Sequence, residues 1–138
     1  MVNSTLLGVM VTIDEQGQPQ PRWMGAATTD RLRCVYCLTA KNTRKLAHLA
    51  SHPETTWMFS SETGDGVVTL FGKAQAIASP LATQEVWDKL LEIGEPFLVS
   101  TMGQNSTTEL IAVQTIVTRV EFLCPKQGIY DPISIDLD

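Results

Sequence analysis

Apolar and polar positions alternate along much of the first half of the chain, the period-two signature of half-buried strands. Residues Leu6 to Ile13 are β-branched and apolar, Asp14-Glu15-Gln16-Gly17-Gln18-Pro19 supplies turn formers, and Arg22 to Ala27 resumes an extended pattern, which predicts a hairpin. Thr29-Asp30 turns the chain into a third strand, Leu32 to Thr39, completing an antiparallel meander. The period then changes. Leu46, Leu49 and Ala50 fall at i, i+3 and i+4 and predict a short helix from about Thr43 to Ser51, with a capping oxygen from Asn42 or Thr43 and a stop at Pro53.

Thr55 to Ser60 and Val67 to Ile77 read as two further strands around the turn Glu62-Thr63-Gly64-Asp65-Gly66, and Gly72 marks a bulge or a close backbone approach. Ser79-Pro80 predicts the start of a second helix to about Ile93, with Val86, Leu90 and Ile93 toward the core and Gly94 at its end. A short extended segment (Phe97 to Thr101), a polar loop (Gly103 to Thr107) and a last long strand (Leu110 to Leu123) follow, while the tail from Pro125 shows no clear period. The expected fold is mainly β (α+β), one domain over residues 1–138, its strands forming a closed or partly open barrel with two short helices.

A chain of 138 residues, with 43% hydrophobic and 18% charged positions, can build one such core. A net charge of -5 argues against nucleic acid or an anionic membrane as partner, so any basic cluster must be local. No apolar run approaches the roughly 20 residues of a bilayer span, and the N-terminus lacks the pattern of a signal peptide, which predicts a cytoplasmic protein. Cys34, Cys37 and Cys124 are odd in number and expected to be free thiols.

One local rule is broken. Arg44 and Lys45 occupy the first turn of the predicted helix, where the positive end of the macrodipole disfavours each cation by roughly 0.3 to 1 kcal/mol. Two accounts are open: both are solvated surface residues, or free amides, the Thr43 hydroxyl and two cations converge on an anion such as a phosphate. Arg22 lies on the second strand of the meander whose third strand leads into this helix, and can neighbour the same anion; its alternative is a surface salt bridge.

The succession from Val11 to Pro19, then Arg22-Trp23-Met24, Val35-Tyr36-Cys37-Leu38-Thr39, Thr43-Arg44-Lys45 and Val68-Thr69-Leu70-Phe71-Gly72-Lys73-Ala74 resembles the pyridoxamine 5'-phosphate oxidase-like split barrels, nearest their general stress protein branch. The resemblance covers about Leu7 to Ile77 and implies an FMN-binding split β-barrel that forms a homodimer, with cofactor sites between subunits. It implies that Arg22, Thr43, Arg44 and Lys45 hold the FMN phosphate, while Trp23, Met24, Leu38 and Thr39 line the flavin. It further implies a flavin-dependent oxidoreductase acting on a small molecule or, alternatively, a non-catalytic flavin-binding protein that stores or senses the cofactor. Two departures argue against authentic vitamin B6 oxidase activity: Ala27 stands where the oxidase has a second lysine, and no Arg or His follows Leu123 to bind substrate.

Other patterns look chemical. Cys34-x2-Cys37 with His48-x3-His52 has zinc-like spacing, but a strand puts the two thiols on opposite faces, so no metal is expected. His48 and His52, with Lys45, are expected on a solvated helix face. Trp23 is the one indole inside a matched flavin segment; Trp57 suits the core and Trp87 a subunit contact. No P-loop, dinucleotide fingerprint or Ser/His/Asp set occurs, so any catalysis must come from the flavin.

Overall fold

The computed structural model describes residues 7–29, 33–41, 43–60, 66–90, 110–124 and 128–137. Among these residues eight strands form one antiparallel sheet that curls into a split barrel: β1 (Leu7–Ile13), β2 (Pro19–Gly25), β3 (Ala27–Thr28), β4 (Cys34–Ala40), β5 (Glu54–Ser60), β6 (Val67–Ile77), β7 (Leu110–Cys124) and β8 (Ile129–Asp136). Helix α1 (Arg44–Ser51) follows β4, and helix α2 spans 80–90. The sheet order is β2-β1-β5-β6-β7-β4-β3, with β8 on β7 beyond the end of β4. The two edge strands β2 and β3 are consecutive in sequence, so the chain itself bridges the split at Ala26, which is fully buried.

The hairpin turn is built by Asp14. Its Oδ1 accepts from the backbone N–H groups of Gln16 and Gln18, both at 2.9 Å, and its Oδ2 from Gln20 Nε2 at 2.9 Å, while Gly17 takes the positive φ of 78° that the turn requires. These donors, the Gln18 amide foremost, hold the Asp14 carboxyl below the ordinary aspartate range.

Gly72 sits at a bulge. The β6–β7 register passes from Phe71↔Arg119 to Gly72↔Val117, so Thr118 has no partner across the ladder and its hydroxyl bonds to the Phe71 carbonyl at 3.2 Å. The main core fills the barrel with Met10, Val35, Cys37, Trp57, Leu70 and Val113. Trp57 stacks on Phe59 and donates its Nε1–H to Thr115 Oγ1 at 3.1 Å. A second cluster, formed by Leu38, Leu110 and Ala112 with Val86 and Leu90, seats α2 on the other face of β4 and β7.

The predicted strands Thr55 to Ser60 and Val67 to Ile77 match β5 and β6, and Leu110 to Leu123 matches β7 to within one residue. Ser79 caps α2, its Oγ accepting from the Ala82 N–H at 3.2 Å. Two expectations need correction, and the tail, which shows no clear period in the sequence, forms a strand. The extended run Arg22 to Ala27 is two strands, because pairing switches from β1 to β4 at Ala26. The tail forms β8 despite Pro132, which an edge strand tolerates. The buried face of α1 is Lys45, His48 and Leu49, whereas Ala50 is exposed. Leu6, Asp30, Leu32, Asn42, most of the turn at 62–66, Ile93, Gly94 and the segments at 97–101 and 103–107 lie outside the described residues. Among the described residues, no helix is long and apolar enough to cross a membrane.

Candidate functional site

Inward positions of β1 and β4 face the start of α1. Along β1, Gly8, Met10 and Thr12 point inward; along β4, Cys37 and Thr39 do so. Arg22 lies across from Met10 on β2 and reaches diagonally to Thr12, its Nη2 donating to Thr12 Oγ1 at 2.8 Å. Lys45, only 8% exposed, donates from Nζ to Thr39 Oγ1 at 2.9 Å, and Thr39 shares a further bond of 3.1 Å with Thr43 Oγ1. Thr43 occupies the N-cap position with extended backbone, but its hydroxyl serves Thr39 and makes no cap bond, and Asn42, the other expected cap, lies outside the described residues. No acidic residue lies in the first turn.

This arrangement is electrostatically incomplete. Burial pulls the Lys45 ammonium below the ordinary lysine range, with the Arg22 charge acting the same way; burial likewise lowers Arg22, helped by the Arg44 charge. The anionic form of Cys37 would favour both cations, but burial pushes its thiol up to about 11, so it is neutral near pH 7. Arg22 Nη1 is buried and has no hydrogen-bond partner. An orphaned buried donor costs about 1 to 3 kcal/mol, more when charged, and here it lies close to a buried ammonium, with no carboxylate of the described residues acting on either group.

Of the residues expected to hold a cofactor, the structure thus brings together Arg22, Thr39, Thr43 and Lys45, with exposed Arg44 close enough for its charge to act on Arg22. It does not bring all the others there. Trp23 points to the opposite face of β2 and is 69% exposed, Met24 packs on the main core, and the Leu38 side chain lies under α2. Among the described residues two backbone edges remain open beside the cluster, since β2 pairs only with β1, and β4 beyond Tyr36 only with β7.

His48 is a correction. It was expected on a solvated face, yet it is 3% exposed and its Nδ1 lies 3.2 Å from Thr12 Oγ1. The sequence did carry a signal, since Thr12 falls in the inward phase of an otherwise apolar strand and needs a polar partner. Cys34 and Cys37 lie three positions apart on β4, and among the described residues no group of three or more His, Cys, Asp or Glu is placed to hold a metal.

A curled antiparallel sheet open between β2 and β4, with one helix at its basic cluster and a second on its outer face, is a split barrel. The sequence matches the family model described as Pyridoxamine 5'-phosphate oxidase over residues 1–119, and the chain belongs to that family. No curated protein matches it. Among solved structures, a Clostridium acetobutylicum protein related to general stress protein 26 shares the fold, with a TM-score of 0.77 at 14% identity over 99% of this chain and 89% of that one. General stress protein 26 from Bacillus anthracis gives 0.73 at 12% identity, covering 99% and 92%, and an F420 reductase gives 0.68 at 13%, covering 86% and 91%.

Proposed function

We propose that the chain binds FMN by its phosphate and serves as a flavin-dependent oxidoreductase on a small molecule. The observation that carries this is the orphaned Nη1 of Arg22 beside buried Lys45: a phosphate dianion supplies the missing acceptor and the missing negative charge together. Arg44 and the first turn of α1, which the Thr43 hydroxyl does not cap, add a cation and backbone donors. The open edges of β2 and β4 can meet the ring through backbone groups of Trp23, Met24, Leu38 and Thr39. Bound FMN supplies the hydride or electron transfer; the chain binds it, orients it and keeps water from its phosphate. The F420 reductase on this fold is consistent with flavin-type chemistry.

Between α2 and β3–β4 lies a cavity of about 550 Å³, lined by Ala27, Tyr36, Glu85, Asp88 and Lys89 among others. Two carboxylates against one lysine suit a phosphorylated substrate poorly, in keeping with Ala27 in place of the oxidase lysine. FMN should therefore bind at least about tenfold more tightly than riboflavin, each charge-assisted bond contributing about 1.5 to 3 kcal/mol. Equal affinities in a fluorescence titration would remove the phosphate site. Reduction of the bound flavin by NADH or NADPH separates an oxidoreductase from a protein that only stores or senses the cofactor.

The same reading includes a homodimer. Trp23, Val9 and Met58 align across β2, β1 and β5 on the outer face, with Leu7 and Pro21 beside them, an apolar surface that a second copy would cover. Trp23→Asp should shift the protein from dimer to monomer in sedimentation velocity at micromolar concentration. A wild-type protein that is monomeric with flavin bound would rule the dimer out.

A further inference from the structure

We propose that His48 is a positioning residue for the anion site, acting through Thr12 to fix the Arg22 guanidinium; this rests on the phosphate-binding reading above. The three side chains come from three elements, α1, β1 and β2, and form one chain: Arg22 Nη2 donates to Thr12 Oγ1 at 2.8 Å, and Thr12 Oγ1 lies 3.2 Å from His48 Nδ1. Thr12 is fully buried and His48 nearly so, so neither bond has water as a ready substitute.

Proton inventory gives the chain a direction. The Thr12 oxygen accepts from a guanidinium, which polarises its O–H, and its single proton can be directed at His48 Nδ1. Arg22 is held by one of its two terminal nitrogens, and the other, Nη1, keeps its donors for the anion. A flexible arginine must lose rotamer freedom on binding, and a side chain already fixed in the ligand-free protein avoids that cost. His48 touches no anion in this arrangement; its effect passes entirely through Thr12 and Arg22.

The test is a set of thermodynamic cycles on the full chain, with FMN and riboflavin as probes and flavin fluorescence as readout. His48→Leu and Thr12→Val should each weaken FMN about tenfold, the scale of one hydrogen bond to a charged group, and leave riboflavin within about twofold. The two together should weaken it no more than either alone. On an Arg22→Ala background, neither should have any further effect; with Arg22 present, His48→Gln should keep part of the affinity that His48→Leu loses. Thr12→Val is nearly isosteric and carries the test if His48→Leu folds poorly. A His48→Leu penalty that persists in full without Arg22, or falls equally on riboflavin, assigns His48 to packing and overturns the proposal. So would wild-type FMN affinity in both Thr12→Val and His48→Leu while Arg22→Ala is weak. If Arg22→Ala itself binds FMN normally, the phosphate-binding reading fails first and the positioning role with it.

Discussion

Lys45→Met should make the ligand-free protein as stable as wild type or more so, and the FMN-loaded protein less so. The ammonium is buried near Arg22, with Thr39 as its hydrogen-bond acceptor and, among the described residues, no carboxylate acting on it. A methionine fills a similar volume without the desolvation penalty or the repulsion, and such replacements of buried charge are often neutral or stabilising. With FMN the order inverts. Losing a charge-assisted bond to a buried phosphate should cost about 2.7 kcal/mol, or about a hundredfold in affinity. At an FMN concentration of about 100 times the wild-type Kd, ligand stabilises wild type by about 2.7 kcal/mol and the variant by about 0.4 kcal/mol. Riboflavin, lacking the phosphate, should stabilise both alike. Thermal melts with no ligand, FMN and riboflavin test this directly. A variant that melts lower in all three conditions would mean Lys45 is a structural residue.

The largest loss of fold stability from a single added methyl group is expected at Gly72. A Cβ there would collide with the carbonyl oxygen and carbon of Ile116, which are backbone atoms of the neighbouring strand. Since the obstacle cannot rotate away, the β6–β7 ladder must separate at the bulge, and Gly72→Ala should cost about 3 kcal/mol, the upper end for overpacking. Against a total stability of about 5 to 15 kcal/mol this is a large fraction. Gly17→Ala is the comparison. That residue has a positive φ but open space around it, so only backbone strain of about 1 to 2 kcal/mol applies. Urea unfolding should rank Gly72→Ala well below Gly17→Ala; the reverse order would mean that the bulge relaxes readily.

What could be read from the sequence follows from which forces act locally. Strands β5, β6 and β7 announce themselves because their apolar phase and turn residues are set within a few positions. The start of α1 was legible as a conflict, two cations at the wrong helix end, and Arg22 and Lys45 do lie close enough for their charges to interact. The face of α1 was not. Counting Lys and His as polar turns the stripe toward Leu46, Leu49 and Ala50, whereas burial follows the hydrogen bonds of Lys45 and His48 to Thr39 and Thr12. The break between β2 and β3 was equally invisible, because a change of pairing partner leaves the extended conformation, and so the period, intact.

The position of β7 has a consequence for how the protein is made. Among the described residues, β4 pairs with the two residues of β3 and otherwise with β7, and about 70 residues of chain separate β4 from β7. At the usual pace of synthesis, roughly 5 to 20 residues per second, that separation corresponds to about 4 to 14 s on the ribosome. Throughout that interval the apolar strand Cys34–Ala40 stands with one flank unpaired, able to pair with neighbouring nascent chains. Strands β2, β1, β5 and β6 pair in that order before β7 is made, and β6 keeps its other edge for β7. The half of the molecule that carries Thr39 and leads into α1 is therefore completed only when β7 arrives, and slowing translation between residues 40 and 110 should lower the recovered yield of folded chain.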